Sequence, residues 1–481
     1  MDESRAVARY STLDQPRQSS VVRVELMLAA VMLITLLAYL RCLSNPFTLD
    51  DHIFLENHLI GSWSFLSRSL AGDALWFVDP GGTPLSPYYR PLLLIVLGFE
   101  YHLFGLNPAA FHAVSLLLHL LVVFLVFKIA ARLTADLYAA LLTALLFGLI
   151  PAHAEAVLSI AATNYPLGAA FQLGAFYLVI SAGDKRDTSP LAVLLYLAAL
   201  LCHENAIMLP ALVAIYVLLL EPAGAIRDEP LVVRARARIG TAVIRIKYFA
   251  LVMLLYMAFR VFVLHLAFVT PSVGAGHVSS AVLLLTLPRV MVMYVALMVV
   301  PWLAGDSDRA TFVHRAASPD FYLPLITLTT LTVFLYMVLR NHPRRALYLF
   351  CILWIGIEIA PMLNLRGLWP EGEIANRYFY MPSVGWCMML ADWAVVLAHR
   401  GARVRQLVFA GTAAMLAISL IVLMNLMSLW HDEVALIRGR LTRFPESAYC
   451  HRALARALRK QGDIVGARHE RETAARMAAG S

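Results

Sequence analysis

Apolar runs long enough to cross the hydrocarbon core of a bilayer recur along nearly the whole chain. In lipid every backbone N–H and C=O must bond within its own segment, so such a chain is expected to be all-α and polytopic. Of its 481 residues, 60% are hydrophobic and 15% charged. Soluble domains run nearer half and about a quarter, so one membrane domain takes up most of the length. The first run, Val21 to Leu40, is longer than a signal-peptide core and lacks a small-residue cleavage site, so it reads as a retained anchor. Cys42, Cys202, Cys351, Cys387 and Cys450 are odd in number, and three lie in apolar runs, which argues against a disulfide framework. The net charge of +8 does not call for nucleic acid, because cytoplasmic loops make many membrane proteins basic.

Charge sets the expected topology. Arg5, Arg9, Arg17 and Arg23 precede the first span and place the N-terminus in the cytoplasm. Further basic clusters follow at Lys128/Arg132, Lys185/Arg186, Arg227 to Lys247, Arg340/Arg344/Arg345 and Arg400/Arg403/Arg405. Spans starting near 22, 109, 137, 164, 190, 206, 248, 321, 346, 378 and 406 satisfy that parity, about 11 helices by the length rule. Pro91 to Phe104 is short, and Ala281 to Pro301 is broken by Pro288-Arg289, so both read as interfacial or re-entrant helices on the outer side. The spans at 190 and 206 are squeezed, which predicts short helices meeting at a break near Cys202-His203-Glu204. Three regions result: a cytoplasmic tail 1–21, a membrane domain 22–430 with an outer loop 42–90, and a helical tail 431–481. Polar connectors collect on the outer face, among them Pro151–Thr163, so an active site is expected there.

Asp50 and Asp51 lie in the first outer loop. Adjacent carboxylates repel, which suits one of them to act as a general base; helix capping is the competing reading. His112 and His119 are seven positions apart on one helix face. His112, nearer the outer end, is the one placed to reach a site, whereas His119 reads as a neutral core histidine. His153 and Glu155 alternate along what reads as an extended loop. That puts both on one side, as a divalent metal would require, although two ligands do not make a site. The alternative is a helix N-terminus with Glu155 in its first turn. Glu204 at the break needs a partner, His203 or an arginine. Arg377 at the outer boundary suits a phosphodiester or a headgroup anchor. Arg90 follows the same logic, with Tyr88 and Tyr89 beside it as sugar-stacking or belt aromatics. Trp369, Glu371 and Glu373 share the loop before Arg377 and are candidates for the acceptor side.

Six stretches occur in order: Asp50-Asp51; Tyr88-Tyr89-Arg90-Pro91-Leu92; Phe104-Gly105-Leu106-Asn107-Pro108 with His112 and His119; Pro151-Ala152-His153-Ala154-Glu155-Ala156-Val157; Cys202-His203-Glu204-Asn205; and Asn376-Arg377-Tyr378-Phe379-Tyr380-Met381-Pro382-Ser383. Together with a tail whose Ala453-Leu454-Ala455, Leu458, Gln461-Gly462-Asp463 and Ala467 fit half a tetratricopeptide pattern, they resemble one family. It is the bacterial branch of the transmembrane and tetratricopeptide-repeat O-mannosyltransferase-like proteins, within the GT-C superfamily. The resemblance covers about residues 20 to 475. It implies a GT-C-like fold and inverting transfer of a monosaccharide from a polyprenyl-phosphate donor to a hydroxyl of a protein, glycan or lipid. It places the chemistry on the periplasmic face of a bacterial inner membrane. It implies an Asp base, here Asp50 with Asp51 as neighbour, and donor contacts from Arg377, Arg90, His203, Glu204 and Tyr378. Ile150 stands where the family usually has His, and Cys202-His203 where it has Ser-Lys. A phosphate contact by His203 would therefore need a protonated ring. Two other classes compete. A lipid-linked sugar transporter would want mid-membrane ionisable groups and a repeat, whereas here most acids sit at the outer boundary. An assembly factor would recruit protein partners through the tail.

Overall fold

The computed structural model describes residues 18–78, 86–183, 188–221, 230–266, 279–300, 307–309, 311–363 and 373–480. Length and apolar composition qualify seven of the described helices to cross a bilayer: Arg23–Ser44, Pro108–Thr134, Val232–Val263, Ser280–Val299, Pro319–Leu339, Arg345–Leu363 and Ala402–His431. Leu137–Leu149 and Pro151–Leu158 qualify as a pair, bent by 52° at Ile150. The proline drives the residue before it into extended geometry, and Ile150 has φ −66° and ψ 124°. Pro91–Phe104, Pro190–Cys202, Glu204–Leu219 and Pro382–Ala398 are apolar but shorter. The chain is thus a helical, multi-span membrane protein. Capping follows the sequence: Asn107 accepts from Ala109 N with Pro108 in the first turn, and Asp136 accepts from Tyr138 N and Ala139 N.

Several expectations change. The basic stretch up to Lys247 is no loop where described; Arg234 to Lys247 belong to one helix, Leu231–Ala258, that continues into the span. Ser280–Val299 is an unbroken helix despite Pro288. Its midpoint Arg289 pairs with Asp320 at 2.6 Å, at the very start of Pro319–Leu339, and its Thr286 Oγ1 accepts from Val313 N in the connector. The two helices are therefore offset by about half a length, and Ser280–Val299, expected to be interfacial or re-entrant, is itself long and apolar enough to cross a bilayer. Pro151–Thr163 is not an exposed connector. It folds as successive helical turns, Pro151–His153, Ala154–Leu158 and Ile160–Ala162, almost wholly buried. The break near 202–204 is present: Cys202 ends one helix, His203 is extended at φ −156°, and Glu204–Met208 restarts as a tight turn before Leu209–Leu219.

The main core holds Val126, Phe147, Phe176, Tyr196, Leu212, Phe350, Trp354 and Met388, one or two from each central helix. At the periphery Pro319–Leu339 buries no residue at all. Its Thr327, Thr329 and Thr332 hydroxyls bond back to carbonyls four residues earlier at 2.8–2.9 Å, which keeps those three donors paired on the lipid side. Two short strands, Ser307–Arg309 and Glu373–Ala375, pair antiparallel with Ser307 opposite Ala375, and fix the approach to Arg377. After Ala402–His431 the tail runs as Glu433–Arg443, Ala448–Lys460 and Ile464–Gly480. It packs Leu436, Ile437, Leu454 and Leu458 in one core with Leu49 of the first loop. The tail and that loop therefore share a side of the membrane.

All five cysteines are buried, so introduced cysteines report cleanly. With a membrane-impermeant maleimide on intact cells, Arg468→Cys in the tail should label and Arg236→Cys should not. Labelling at 236 would overturn the side assignment.

Candidate active site

The two adjacent carboxylates have unlike surroundings. Asp51 is fully buried and pins the first loop to the turns after Ala154–Leu158. It accepts from Ala161 N at 2.8 Å, Thr48 N at 3.1 Å and Ser159 Oγ at 3.3 Å. Burial pushes its carboxyl up to about 7, against the pull of the Ala161 and Thr48 N–H groups. Asp50 is exposed, and its Oδ1 accepts the Tyr449 hydroxyl of the tail at 2.6 Å. Of the pair, Asp50 is the one open to a substrate hydroxyl. His52, next in sequence, lies between Glu56 at 2.8 Å and Glu433 at 3.2 Å. Burial pulls its pKa down, but the two acids outweigh it and hold the ring above its ordinary value.

A second constellation forms where the loop re-enters at Pro91 and the 202–204 break meets it. Glu204 accepts from Arg90 Nε at 3.0 Å and from Tyr89 N at 3.1 Å. Among the described residues the terminal nitrogens of Arg90 bond to nothing, so its fork remains available. The guanidinium lies 4.3 Å from the Tyr88 ring centre. His203 differs from expectation. Burial first, then the Arg90 and Arg377 charges, hold its pKa well below the usual histidine range. Its Nδ1 accepts from Asn205 N at 3.1 Å, which leaves a neutral ring with the proton on Nε2. It is a neutral wall, not a cation for phosphate.

The third group centres on Glu155, whose side chain is 2% exposed. It accepts from the Arg377 guanidinium, from Arg377 N at 3.0 Å, and faces Arg440 of the tail at 3.6 Å. Arg377 lies 5.4 Å from the Tyr378 ring. His153 takes no part in this group. The segment is helical, not extended, so positions two apart diverge: His153 Nε2 meets Ser383 Oγ at 2.8 Å inside the core. The proposed His153–Glu155 metal pair is thereby split, and among the described residues no three His, Cys, Asp or Glu side chains gather as a metal site. His112 is fully buried beneath the backbone of Asn45 and Pro46. His119 bonds Tyr380 OH at 2.8 Å in the core. Trp369 and Glu371 lie outside the described residues, as does the side chain of Glu373, whose backbone forms the short strand.

Near Arg90 and Arg377, neither of which lines it, is a recess walled by Tyr165, Gln172, His203, Asn205, Tyr378 and Met381. The Tyr165 ring sits 4.5 Å from His203 and 6.4 Å from Tyr378, and both arginines act on its hydroxyl. Tyr165 and Gln172 were missed in the sequence; polar side chains in an otherwise apolar helix were the available signal. Glu155, which holds Arg377, and Ala161, which holds Asp51, are six residues apart. The two constellations are thus within about 20 Å of each other, on one side of the membrane. Such a site offers two oriented guanidinium groups, aromatic and neutral polar walls, and one accessible carboxylate.

No family profile matches the chain. Among curated proteins it is similar to the protein O-mannosyl-transferase Tmtc1 of Drosophila melanogaster, 30% identical over 188 residues, 37% of this chain and 21% of that protein. It is also similar to the human protein O-mannosyl-transferase TMTC3, 28% identical over 149 residues, 29% of this chain and 16% of that one. The matched stretch thus spans about a fifth of either relative. The likeness carried by the motifs is therefore found again in named relatives, over part of the chain. Solved structures with some likeness include ArnT from Cupriavidus metallidurans bound to undecaprenyl phosphate, at 18% identity and TM-score 0.39, covering 93% of this chain and 74% of that one. Another is the Archaeoglobus fulgidus oligosaccharyltransferase tethered with an acceptor peptide, at 13% identity and TM-score 0.40, covering 88% and 58%.

The environment of Asp51 has a consequence for stability. A carboxyl raised from 3.8 to about 7 binds more protons in the folded state than in the unfolded one. Its contribution is therefore full below the unfolded value and is lost as pH rises through about 7. The melting temperature of the detergent-purified protein should fall by a few degrees more between pH 5 and pH 8 than that of Asp51→Asn, a neutral near-isostere. Equal slopes would place the Asp51 pKa outside that window.

Proposed function

We propose that this protein is a membrane glycosyltransferase. It transfers a monosaccharide from a polyprenyl-phosphate donor to a hydroxyl acceptor on the side of the membrane opposite its N-terminus, with inversion. The observation that carries the reading is the pairing of two anchored arginines near a recess with the exposed Asp50 carboxylate, whose neighbour Asp51 is buried, on the same side. Arg90 is held by Glu204 and Arg377 by Glu155. Donors fixed in advance at the point where charge develops need no reorganisation during the reaction. The partial likeness to proteins named O-mannosyl-transferases makes mannose the first sugar to test.

In this reading the donor phosphodiester sits at the fork of Arg90 and beside Arg377, and the sugar lies in the recess against Tyr165 and Tyr378. The acceptor oxygen attacks the anomeric carbon while its proton passes to the Asp50 carboxylate. The bond from that carbon to the phosphate oxygen breaks, and the electron pair stays with the phosphate. The lipid phosphate gains a negative charge, which the guanidinium groups offset. Asp51 stays on its three donors and holds the loop. Neutral His203 supplies an Nε2–H toward the recess and adds no cation.

The assay is purified protein with a panel of undecaprenyl-phosphate monosaccharides, mannose first, and a serine/threonine peptide. Asp50→Asn keeps shape but removes the base, and turnover should fall by about 10²–10⁴ with donor KM unchanged. Asp51→Asn should cost less. Wild-type turnover in both variants would remove the two aspartates from the base role, whereas no transfer by the wild-type protein from any donor of the panel would leave the transporter or assembly-factor reading in its place.

Arg377→Lys keeps the charge but loses the planar fork. Donor KM should rise about tenfold, equal to about 1.4 kcal/mol of binding. An unchanged KM would remove Arg377 from the donor site.

A further inference from the structure

The tail is not merely apposed to the first loop; it grips the two residues on which that loop turns. Leu49 has φ +50°, a left-handed conformation unusual for a branched side chain. Both of its backbone polar groups are held by the tail. Glu433 Oε1 accepts the Leu49 N–H at 3.0 Å, and Arg456 Nη2 donates to the Leu49 carbonyl at 3.1 Å. The Leu49 side chain is buried in the apolar core that the tail shares with the membrane helices. A strained backbone of this kind persists only where its surroundings over-determine it. The next residue is Asp50, and the tail reaches that too, through the Tyr449 hydroxyl on Oδ1. Two residues further, Glu433 meets His52, and Lys460 Nζ meets Glu56 at 2.9 Å.

We propose that the tail is a positioning clamp for the general base, with Tyr449, Glu433 and Arg456 as positioning residues. The inference rests on the reading of Asp50 as that base. The left-handed turn at Leu49 decides where the Asp50 side chain leaves the loop, and the two tail contacts decide that turn. Tyr449 then fixes the carboxylate by one oxygen. Among the described residues nothing else bonds to the Asp50 side chain, so Oδ2 is left for the acceptor hydroxyl. The same tail helix that carries Glu433 carries Arg440, which faces Glu155, the carboxylate that orients Arg377. One element thus ties the base to the arginine beside the leaving group.

The test uses the full-length purified protein, undecaprenyl-phosphate mannose (or whichever donor of the panel turns over) and the serine/threonine peptide. Tyr449→Phe keeps the ring packing and removes the hydroxyl. Its kcat should fall about ten- to hundredfold, the scale of a misplaced reacting group, with donor KM and melting temperature unchanged. Arg456→Ala should do the same, and Arg456→Lys should restore most of the loss. In the Asp50→Asn background Tyr449→Phe should have no further effect, because both act through one carboxylate. Wild-type kcat in Tyr449→Phe, or a loss that only follows melting temperature or donor KM, would overturn the clamp. Tyr449→Phe at wild-type kcat beside an inactive Asp50→Asn would sink the clamp alone, whereas an active Asp50→Asn would sink the base assignment beneath it.

Discussion

Glu155 is a carboxylate taken almost wholly out of water, and a lone charge in that position is strongly unfavourable. It is tolerated because two guanidinium groups meet it from distant parts of the chain, Arg377 from the segment after the short strand pair and Arg440 from the tail. That one requirement draws three segments to a single point: the bent helix pair that carries Glu155, the approach to Pro382–Ala398, and the tail. The recess, the position of Arg377 and the seating of the tail on the first loop all follow from where this carboxylate is satisfied. Removing it would leave two arginines facing each other, so its role in the architecture precedes any role in chemistry.

The electrostatics of the recess are those of a site nearly neutral at rest. Glu204 and Glu155 match Arg90 and Arg377, Arg440 adds one further cation, and His203 stays uncharged because burial first, and then both arginines, disfavour its charged form. A lysine at position 203 would add a further cation facing the recess. Here a neutral ring takes its place. The compensation is visible in the geometry: the Arg90 fork is committed to Glu204 through Nε alone, and its two terminal nitrogens remain for an anion.

What the sequence disclosed and what it did not divide along a physical line. The helical character, the long spans near 22, 109, 321 and 406, the short Pro91–Phe104 helix and the break at Cys202-His203-Glu204 were legible, because hydrophobic length and helix punctuation are local properties. A partner for Glu204, either His203 or an arginine, was foreseen, since a carboxylate at such a break needs one; that the arginine is Arg90 was not. The separation of His153 from Glu155 was not foreseen. Alternation along an assumed extended loop misplaced them, because the stretch after the Ile150 bend folds as successive buried helical turns. Nor did any local pattern announce Tyr165 against His203, or the tail against Leu49 and Asp50. Those contacts join residues remote in sequence, and a left-handed leucine carries no signature of its own.

The contact between Tyr449 and Asp50 joins positions 399 residues apart. During synthesis the first loop emerges early and its partner near the end. At about 5–20 residues per second, roughly 20 to 80 seconds separate the two. For that interval the loop exists without the helices that hold Leu49 in its left-handed turn and without the hydroxyl that meets Asp50. The Asp50 carboxylate is therefore made well before the tail hydroxyl that fixes its final geometry. A ribosome-bound intermediate, even one with most of its spans inserted, presents the loop unassembled until the tail helices have emerged.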